Sequence, residues 1–280
     1  MPMTDYFTDI KPTWCPGCGN FGIRTALAQA LDELQLPQHK LLMFTDVGCS
    51  GNQSSWYKMY TFHSLHGRSL PPAVGAKIVN PELTVLAQCG DGGAYGEGTN
   101  HLIHAARKNI NLTYLVHNNQ LYSLTTGQAT PTSEEKLKTK STPYGVVAHP
   151  LNPLTLAIAS GATFVARGFC GDIPHLKELI KAAIQHQGFA FIDILQNCIT
   201  FNKINTNSWF RERVYKLENH DTSNKIEALK KSLEWDFHHD SKIALGIFYQ
   251  EQRHMIGSEK DLTKENIENI DISKIIDEFI

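Results

Sequence analysis

Two segments, ELTVLAQCGDGG (residues 82–93) and NLTYLVHNN (residues 111–119), each place polar residues directly after a short apolar run. Apolar runs of this length, bounded by turn residues, are typical of buried strands. Between them, residues 99–108 have the apolar spacing of a helix. A strand, a helix and a strand in this order predict a βαβ unit of a parallel sheet, whose two strands end at the same edge. We therefore expect Asp91 and Asn119 to lie close together at that edge.

The same alternation continues on both sides of this unit. The sequence predicts helices at residues 21–34 and 174–186, and further strands at residues 40–46, 163–168, 188–197 and 242–250. Strands alternating with helices indicate an α/β fold with a mostly parallel sheet and helices on both faces. We predict a site-bearing domain at residues 1–207 and a C-terminal appendage, with an interface role, at residues 208–280.

The composition is that of an ordinary globular protein, with 280 residues of which 41% are hydrophobic and 19% are charged. A net charge of −2 gives no electrostatic reason to expect nucleic acid or an anionic membrane as a partner. No apolar run reaches the roughly 18 residues of a membrane-spanning helix. The N-terminal residues lack the basic and apolar stretches of a secretory signal. We expect a cytoplasmic location, where thiols stay reduced.

Asp91 and Asn119 carry hard oxygen ligands of the kind that Mg²⁺ takes, and this ion usually completes its coordination with waters and phosphates. Glycines on both sides of Asp91 let phosphate oxygens approach the backbone closely. Each motif alone is weak, because GDG is a common turn and NN is a common start of a loop. Together, at the ends of successive strands, they predict a diphosphate that is held through Mg²⁺.

Two of the six cysteines stand three positions apart in KPTWCPGCGN (residues 11–20), and two more each follow a predicted strand. We expect these four to lie along one edge of the sheet: Cys15, Cys18, Cys49 and Cys198. Four thiolates fit a four-iron, four-sulfur cluster and also a structural zinc ion, so the residue pattern leaves both open. A thioredoxin-like disulfide is disfavoured because no strand of the expected kind precedes the pair. Cys89 and Cys170 are expected to be buried small side chains.

The order and spacing of GDG and NN resemble the coenzyme motif of thiamine diphosphate-dependent enzymes. Further segments resemble the β subunit of 2-oxoacid:ferredoxin oxidoreductases: WCPGCGNFGI, DVGCSG, FHSLHGRSLP, HLIHAARKNI, NNQLYSLTTGQATPTS and CITFN. The likeness extends from about residue 14 to residue 217, with KIALGIFYQE further on. It implies the thiamine diphosphate-binding fold, with thiamine diphosphate, Mg²⁺ and a four-iron, four-sulfur (4Fe-4S) cluster as cofactors. It favours the cluster over zinc, because zinc cannot accept the electrons that the reaction removes.

The resemblance implies oxidative decarboxylation of a 2-oxoacid to acyl-CoA and CO₂, with coenzyme A as acyl acceptor and electrons passing through the cluster to ferredoxin. In this family an α subunit supplies the glutamate that activates the coenzyme. No catalytic side chain is therefore expected in this chain, and the chain alone should have little turnover. Two alternatives stay open: a non-catalytic iron–sulfur scaffold or electron carrier, and a thiamine-dependent decarboxylase subunit with structural zinc. The choice among pyruvate, 2-oxoglutarate and other 2-oxoacids is also open.

The resemblance assigns roles to individual positions. The cluster ligands would be Cys15, Cys18, Cys49 and Cys198, and the magnesium ligands would be Asp91, Asn119 and the carbonyl oxygen of Leu121. The coenzyme would be contacted by Val47, Gly48, Cys49, Ser50, His66, Gly92, Gly93, Ser123 and Leu124. The other histidines, including His63, His101 and His104, are expected to be structural.

Two positions depart from the common pattern of the family. Many relatives have an aspartate after GDG, whereas this chain has Gly93, which leaves magnesium ligation intact but changes the charge of the loop. Some relatives have a lysine before the Gly-Gln dipeptide, where this chain has Thr126, so substrate preference does not carry over. The loop at residues 125–141 is predicted to be either a lid over the substrate or a solvated loop.

Overall fold

The computed structural model describes residues 3–235 and 241–256. In these residues the helices are α1 (Asn20–Glu33), α2 (Leu70–Val79), α3 (Thr99–Lys108), α4 (Pro153–Ala159), α5 (Ile173–Gln185), α6 (Asn207–Arg213) and α7 (Lys225–Ser232). The strands are β1 (Leu41–Thr45), β2 (Tyr60–His63), β3 (Thr84–Gly90), β4 (Leu112–Asn118), β5 (Leu121–Tyr122), β6 (Gln128–Ala129), β7 (Phe164–Phe169), β8 (Phe189–Leu195), β9 (Val214–Lys216) and β10 (Ile243–Gln250). The helices and strands predicted from the sequence are confirmed, with ends within two residues of the expected ones. None of these helices is both long enough and apolar enough to span a membrane.

Eight of the strands form one sheet in the order β2-β1-β3-β4-β8-β7-β10-β9. The neighbours from β2 to β7 in this order are parallel, β10 is antiparallel to β7, and β9 is parallel to β10. β5 and β6 pair separately as a short antiparallel hairpin. The predicted mostly parallel sheet is therefore confirmed.

Helices cover both faces of this sheet, as predicted. On one face, Leu27 and Leu31 of α1 lie in a core with Leu176 and Ile180 of α5. On the other face, α2, α3, α4 and α7 contribute buried residues to a second core. Every residue of the adjacent strands β4 and β8 is buried, as expected for parallel strands that are covered on both sides.

Two elements near the site carry no clear signal in the sequence. β2 lies at one edge of the sheet and exposes Tyr60 and Phe62, so it lacks the apolar run of a buried strand. α2 has two prolines, Pro71 and Pro72, close to its start. Prolines fit the first turn of a helix because the N–H groups that they lack would be unpaired there.

The C-terminal part of the chain joins the same sheet. β9 and β10 lie beyond residue 207, where we placed the domain boundary, and β10 pairs directly with β7. The side chains of Trp235 and Phe248 pack against the buried Arg167 of β7. Residues 257–280, the end of the predicted appendage, lie outside the described residues. The interface role of this part stays a prediction.

Candidate functional site

The carboxyl ends of four neighbouring strands, β1, β3, β4 and β8, surround a cavity of about 540 Å³. All nine residues that the family resemblance assigns to the coenzyme line this cavity, the coenzyme cavity: Val47, Gly48, Cys49, Ser50, His66, Gly92, Gly93, Ser123 and Leu124. Asn119 and Leu121, two of the assigned magnesium ligands, also line it. The parallel sheet thus gathers at one edge several segments that are far apart in the sequence.

Asp91 is fully buried beside Asn119. Its Oδ1 accepts a hydrogen bond of 3.3 Å from the backbone N–H of Asn119. Its Oδ2 accepts from the hydroxyls of Thr130, at 2.6 Å, and Thr132, at 2.8 Å. Burial raises the pKa of Asp91 to about 6, although these donors act in the opposite direction. The ends of β3 and β4 therefore bring the two side chains together, as the βαβ pattern predicts.

The Asn119 side chain is held at both ends of its amide. Its Oδ1 accepts hydrogen bonds of 3.0 Å from the N–H of Leu121 and from the hydroxyl of Ser123. Its Nδ2 donates to Gln196 Oε1 at 3.3 Å. Bonding of an asparagine oxygen to the N–H two residues later is a common turn arrangement. The local turn and the end of β8 together fix the direction of the amide.

His66 lies in the cavity wall among three acceptor groups. Its Nδ1 is 2.8 Å from the Val47 carbonyl oxygen and 3.2 Å from Asp46 Oδ2, and its Nε2 is 3.4 Å from Glu97 Oε2. Because both groups near Nδ1 can only accept, this nitrogen carries a proton. The hydrogen bond to Asp46 raises the pKa of His66, and partial burial opposes this rise. A protonated His66 would place a positive charge in the cavity wall.

Gly92 and Gly93 have no room for a side chain. A Cβ atom at Gly93 would lie 2.1 Å from Asp46 Oδ2, and one at Gly92 would lie 2.3 Å from the ring of Tyr122. Asp46 is fully buried, so its carboxylate occupies the space that an aspartate at position 93 would need. The departure at Gly93 is therefore a steric requirement of this chain.

One buried hydroxyl in the cavity wall is unpaired. Ser50 is 3% exposed, and its Oγ has no hydrogen-bond partner among the residues that the structure describes. The nearest atom to a Cβ added at Gly90 would be this hydroxyl, at 3.6 Å, so the glycine leaves space beside it. A buried hydroxyl without a partner costs free energy. Ser50 therefore indicates a polar ligand in the cavity.

The four cysteines assigned to the cluster are Cys15, Cys18, Cys49 and Cys198. They line a second cavity of about 270 Å³, the cysteine cavity. The sulfur of Cys18 accepts a hydrogen bond from Gln196 Nε2 at 3.4 Å, and that of Cys15 accepts from Thr200 Oγ1 at 3.1 Å. Burial, with smaller effects of the neighbouring thiols, raises the pKa of Cys49 to about 12. Thiols bind metals as thiolates, so a metal bound here would have to displace their protons.

The other two cysteines are placed differently. Cys89 and Cys170 are buried and are not among the residues that line the cysteine cavity. Within residues 3–235 and 241–256, no three His, Cys, Asp or Glu side chains form a group that could hold one metal ion. Of the assigned magnesium ligands only Asp91 is a residue of these types. The four assigned cluster cysteines are all of these types, and they line one cavity without forming such a group.

The two cavities share a wall, because five residues line both: Cys49, Asn119, Ser123, Leu124 and Gln196. Gln196 was not identified from the sequence, nor were Asp46, Thr130 and Thr132. Asp46 and Gln196 lie at the ends of predicted strands. The same kind of position identified Asp91 as a candidate site residue. Thr130 and Thr132 lie in an irregular loop, where no such signal exists.

The loop at residues 125–141 combines buried and exposed parts. Residues 130, 132, 133 and 134 are buried, and the first two support Asp91. This part is therefore not a solvated loop. Thr126 is exposed and has a positive φ of 80°. It is not among the residues that line the coenzyme cavity, whereas Ser141, at the end of the loop, does line that cavity.

Two family models match consecutive parts of the chain. The family described as "Thiamine pyrophosphate enzyme, C-terminal TPP binding domain" matches residues 46–194. The family that describes the C-terminal part of the pyruvate ferredoxin oxidoreductase beta subunit matches residues 198–264. The first match spans more than half of the chain and includes Asp91 and Asn119.

Individual proteins are similar over most of the chain. It is 44% identical over 253 residues to the 2-oxoacid:ferredoxin oxidoreductase subunit beta of Saccharolobus solfataricus, covering 85% of this chain and 82% of that protein. It is 40% identical over 202 residues to the 2-oxoglutarate synthase subunit KorB of Archaeoglobus fulgidus, covering 71% of this chain and 75% of that protein. The solved structure of 2-oxoglutarate:ferredoxin oxidoreductase from Magnetococcus marinus, with 2-oxoglutarate, coenzyme A and succinyl-CoA bound, is 36% identical. It matches with a TM-score of 0.92 over 99% of this chain and 95% of that chain. The chain therefore belongs to the family of 2-oxoacid:ferredoxin oxidoreductase β subunits, which carry a thiamine diphosphate-binding domain.

Proposed function

We propose that this chain binds thiamine diphosphate through Mg²⁺ and holds a 4Fe-4S cluster. With its α subunit, it would convert a 2-oxoacid and coenzyme A to acyl-CoA and CO₂ while two electrons pass to ferredoxin. The observation that carries this proposal is the wall shared by the coenzyme cavity and the cysteine cavity. A redox reaction at the coenzyme needs an electron acceptor beside it, and the four cysteines lie in that position.

Three groups would hold the magnesium ion: the Asp91 carboxylate, the Asn119 amide oxygen and the Leu121 carbonyl oxygen. Oxygen ligands of this kind suit Mg²⁺, which takes its remaining ligands from water and phosphate. Thr130 and Thr132 both donate to Oδ2 of Asp91, whereas within the described residues Oδ1 accepts only from the Asn119 N–H at 3.3 Å, so the ion would bind at Oδ1. Ion binding at Asn119 Oδ1 would require the Ser123 hydroxyl hydrogen to turn away.

The other residues of the cavity would bind and orient the coenzyme. Ser50 would donate its unpaired hydroxyl hydrogen to the bound molecule, and glycines 90 and 92 would let phosphate oxygens approach the backbone. His66, which Asp46 and Glu97 hold in place, would contribute a positive charge to the cavity wall when it is protonated. When bound, the coenzyme would supply the carbanion that adds to a ketone and the ring that accepts an electron pair.

The cysteine cavity supports a cluster more strongly than a zinc ion. Zn²⁺ has no redox chemistry, and the oxidoreductase family to which the chain belongs requires electron transfer. Cys15 is exposed, whereas Cys49 also lines the coenzyme cavity. Of the residues that would hold the cluster, Cys49 would therefore lie on the side of the coenzyme and Cys15 on the side open to an acceptor protein.

The substrate and the partners belong to the proposal as well. The named relatives act on 2-oxoacids or 2-oxoglutarate, and we propose the 2-oxoacid class for this chain. As a β subunit it has an α partner, which we propose to supply the glutamate that activates the coenzyme. Ferredoxin as acceptor, and the cytoplasmic location expected from the sequence, are part of the same proposal.

The test is to produce the chain together with its α subunit and to purify the complex without oxygen. Iron, sulfide, zinc, magnesium and thiamine diphosphate are then measured. We expect about four iron and four sulfide ions per β chain, as in a cubane cluster. Reduction of ferredoxin is assayed with coenzyme A and either pyruvate or 2-oxoglutarate. The Cys198→Ala variant should lose iron, whereas the matched Cys170→Ala variant should keep it.

Other compositions would favour the alternatives. A colourless complex with zinc, coenzyme and no iron would indicate a thiamine-dependent decarboxylase with structural zinc. A complex with the cluster but without the coenzyme would indicate an iron–sulfur scaffold or electron carrier.

A further inference from the structure

Gln196 lies between the two cavities and lines both of them. It follows the last residue of β8, and its backbone N–H donates to the Asn118 carbonyl oxygen at 2.9 Å. The residue is 2% exposed. This position places a buried amide between a predicted magnesium ligand and a predicted cluster ligand.

The amide of Gln196 bonds at both ends. Its Oε1 accepts from Asn119 Nδ2 at 3.3 Å, and its Nε2 donates to the Cys18 sulfur at 3.4 Å. The opposite orientation of the amide would set its NH₂ group against the NH₂ group of Asn119, which is also a donor. The two contacts therefore require the same orientation of the side chain.

Each contact has a consequence for the site that it touches. The bond from Asn119 Nδ2 to Gln196 supports the same amide orientation in which Asn119 Oδ1 accepts from Leu121 and Ser123. Partners of this kind orient the ligands of a metal, and their loss weakens metal binding. An N–H donor to a cluster sulfur stabilises the additional negative charge of the reduced cluster, and such bonds help to set its potential.

We propose that Gln196 is a positioning residue shared by both sites. It holds Asn119 as a magnesium ligand and at the same time raises the reduction potential of the cluster through Cys18. This inference rests on the proposed function. It adds that coenzyme affinity and cluster potential depend on one side chain.

The experiment uses the complex with the α subunit and three variants. Gln196→Met keeps the length of the side chain but removes both hydrogen bonds. Gln196→Glu keeps an acceptor for Asn119 but removes the donor to Cys18. Thr200→Val is the matched control, because the Thr200 hydroxyl donates to the Cys15 sulfur and Thr200 is not among the described residues that line the coenzyme cavity.

Two quantities are measured without turnover. The midpoint potential of the cluster is followed by electron paramagnetic resonance, and thiamine diphosphate affinity is measured by calorimetry at fixed Mg²⁺. For Gln196→Met we expect a more negative potential and an affinity lower by about 10- to 100-fold, the usual effect of losing a partner of a metal ligand. Gln196→Glu and Thr200→Val should shift the potential in the negative direction with a much smaller loss of affinity.

Contrary results are distinguishable. If Gln196→Met, with its full iron content, changes only one of the two quantities, the shared role is refuted. If this variant loses its cluster, Gln196→Glu decides, and an unchanged potential in that variant refutes the contact with Cys18. A wild-type complex without iron or coenzyme would instead refute the proposed function, and this inference with it.

Discussion

Asp46 is the residue that explains why position 93 carries no side chain. Its buried carboxylate contacts His66 and accepts a hydrogen bond of 3.3 Å from the Gly67 N–H. Any side chain at position 93 would meet it. An aspartate there would in addition bring two carboxylates together in a buried place, where like charges are costly.

The first prediction concerns Gly93. We expect Gly93→Ala to lower the free energy of unfolding by about 1–3 kcal/mol, the usual cost of overpacking, and Gly93→Asp to cost more. The measurement is denaturant unfolding of the purified protein. The control is Gly75→Ala, because nothing lies within 4 Å of a Cβ added at Gly75 in α2. Equal losses for the two alanine variants would contradict the steric explanation.

The second prediction separates the role of Asp91 in binding from its role in stability. Burial raises its pKa to about 6, above the value of about 3.9 in an unfolded chain. The charged form therefore lowers the stability of the coenzyme-free protein at neutral pH, and this cost disappears as the pH falls and Asp91 is protonated. We expect Asp91→Asn to keep or raise the thermal midpoint of the coenzyme-free protein and to lose Mg²⁺-dependent coenzyme binding.

Thermal unfolding and calorimetry check this prediction on the same samples. Asp221→Asn serves as control because Asp221 is exposed and far along the chain from the site. Coenzyme binding by Asp91→Asn with wild-type affinity would show that Asp91 is not a ligand.

At the scale of elements, β7 and β8 are joined in the middle of the sheet by a buried ion pair. Arg167 and Asp193 are opposite residues of these strands, and Arg167 Nε lies 3.4 Å from Asp193 Oδ2. Asp193 Oδ1 also accepts hydrogen bonds from Tyr95 at 2.9 Å and Asn118 at 3.0 Å. The pair thus connects the core strands to the strand end that carries Asn119.

The third prediction tests this pair. Arg167→Met leaves the Asp193 charge buried without its partner, and we expect a loss of about 3–5 kcal/mol in the free energy of unfolding. Lys40→Met is the control, because the Lys40–Glu82 pair is solvent-exposed and such pairs contribute at most about 1 kcal/mol. The double variant Arg167→Met/Asp193→Leu should be less destabilised than Arg167→Met alone. A greater loss in the double variant would contradict an uncompensated charge as the cause.

The elements and the meeting of Asp91 with Asn119 could be predicted because both depend on local patterns. Apolar runs identify β3 and β4, and the right-handed connection sends their ends to one edge. The contacts of Gln196 with Asn119 and Cys18 could not be predicted, because they depend on β8 pairing with β4. Neither segment indicates which strands are neighbours. Thr130 reaches Asp91 through an irregular loop, whose path depends on tertiary packing. The antiparallel direction of β10 could not be predicted either, because it also depends on tertiary packing.

At the scale of the whole molecule, stability should depend on pH through a buried histidine. His186 is 4% exposed, and its Nε2 lies 2.8 Å from Thr163 Oγ1. Burial lowers its pKa to about 4, whereas an unfolded histidine titrates near about 6.5. Below this value the unfolded chain binds a proton that the folded chain does not. Stability is therefore lost as the pH falls from about 6.5 towards about 4.

The fourth prediction concerns the magnitude of the stability loss that His186 causes on acidification. The His186 contribution should reduce the free energy of unfolding by up to about 1.4 kcal/mol per pH unit in that range. Unfolding is measured at about pH 7.5, 6.5 and 5.5, which brackets the unfolded value. We expect His186→Gln to lose less stability on acidification than the wild type, and His149→Gln, at an exposed position, to behave like the wild type. Identical slopes for wild type and His186→Gln would exclude this histidine as the source.

The fifth prediction concerns the assembly. Because the glutamate that activates the coenzyme is proposed to lie on the α subunit, the β chain alone should show little turnover of any 2-oxoacid even when loaded with coenzyme and cluster. Addition of the α subunit should restore ferredoxin reduction. Full activity of the pure single chain would contradict this dependence.

Because the two cavities share a wall, damage to one should affect ligand binding in the other. Cys49 belongs to both, and its carbonyl oxygen accepts a hydrogen bond of 2.6 Å from the Trp14 indole N–H. Destruction of the proposed iron–sulfur cluster by air would release this thiol and free the segment that lines the proposed coenzyme site. Loss of iron through oxidation would then be followed by dissociation of the coenzyme. A preparation that has bleached in air should therefore not recover by adding the coenzyme back, unless iron and sulfide are rebuilt before it.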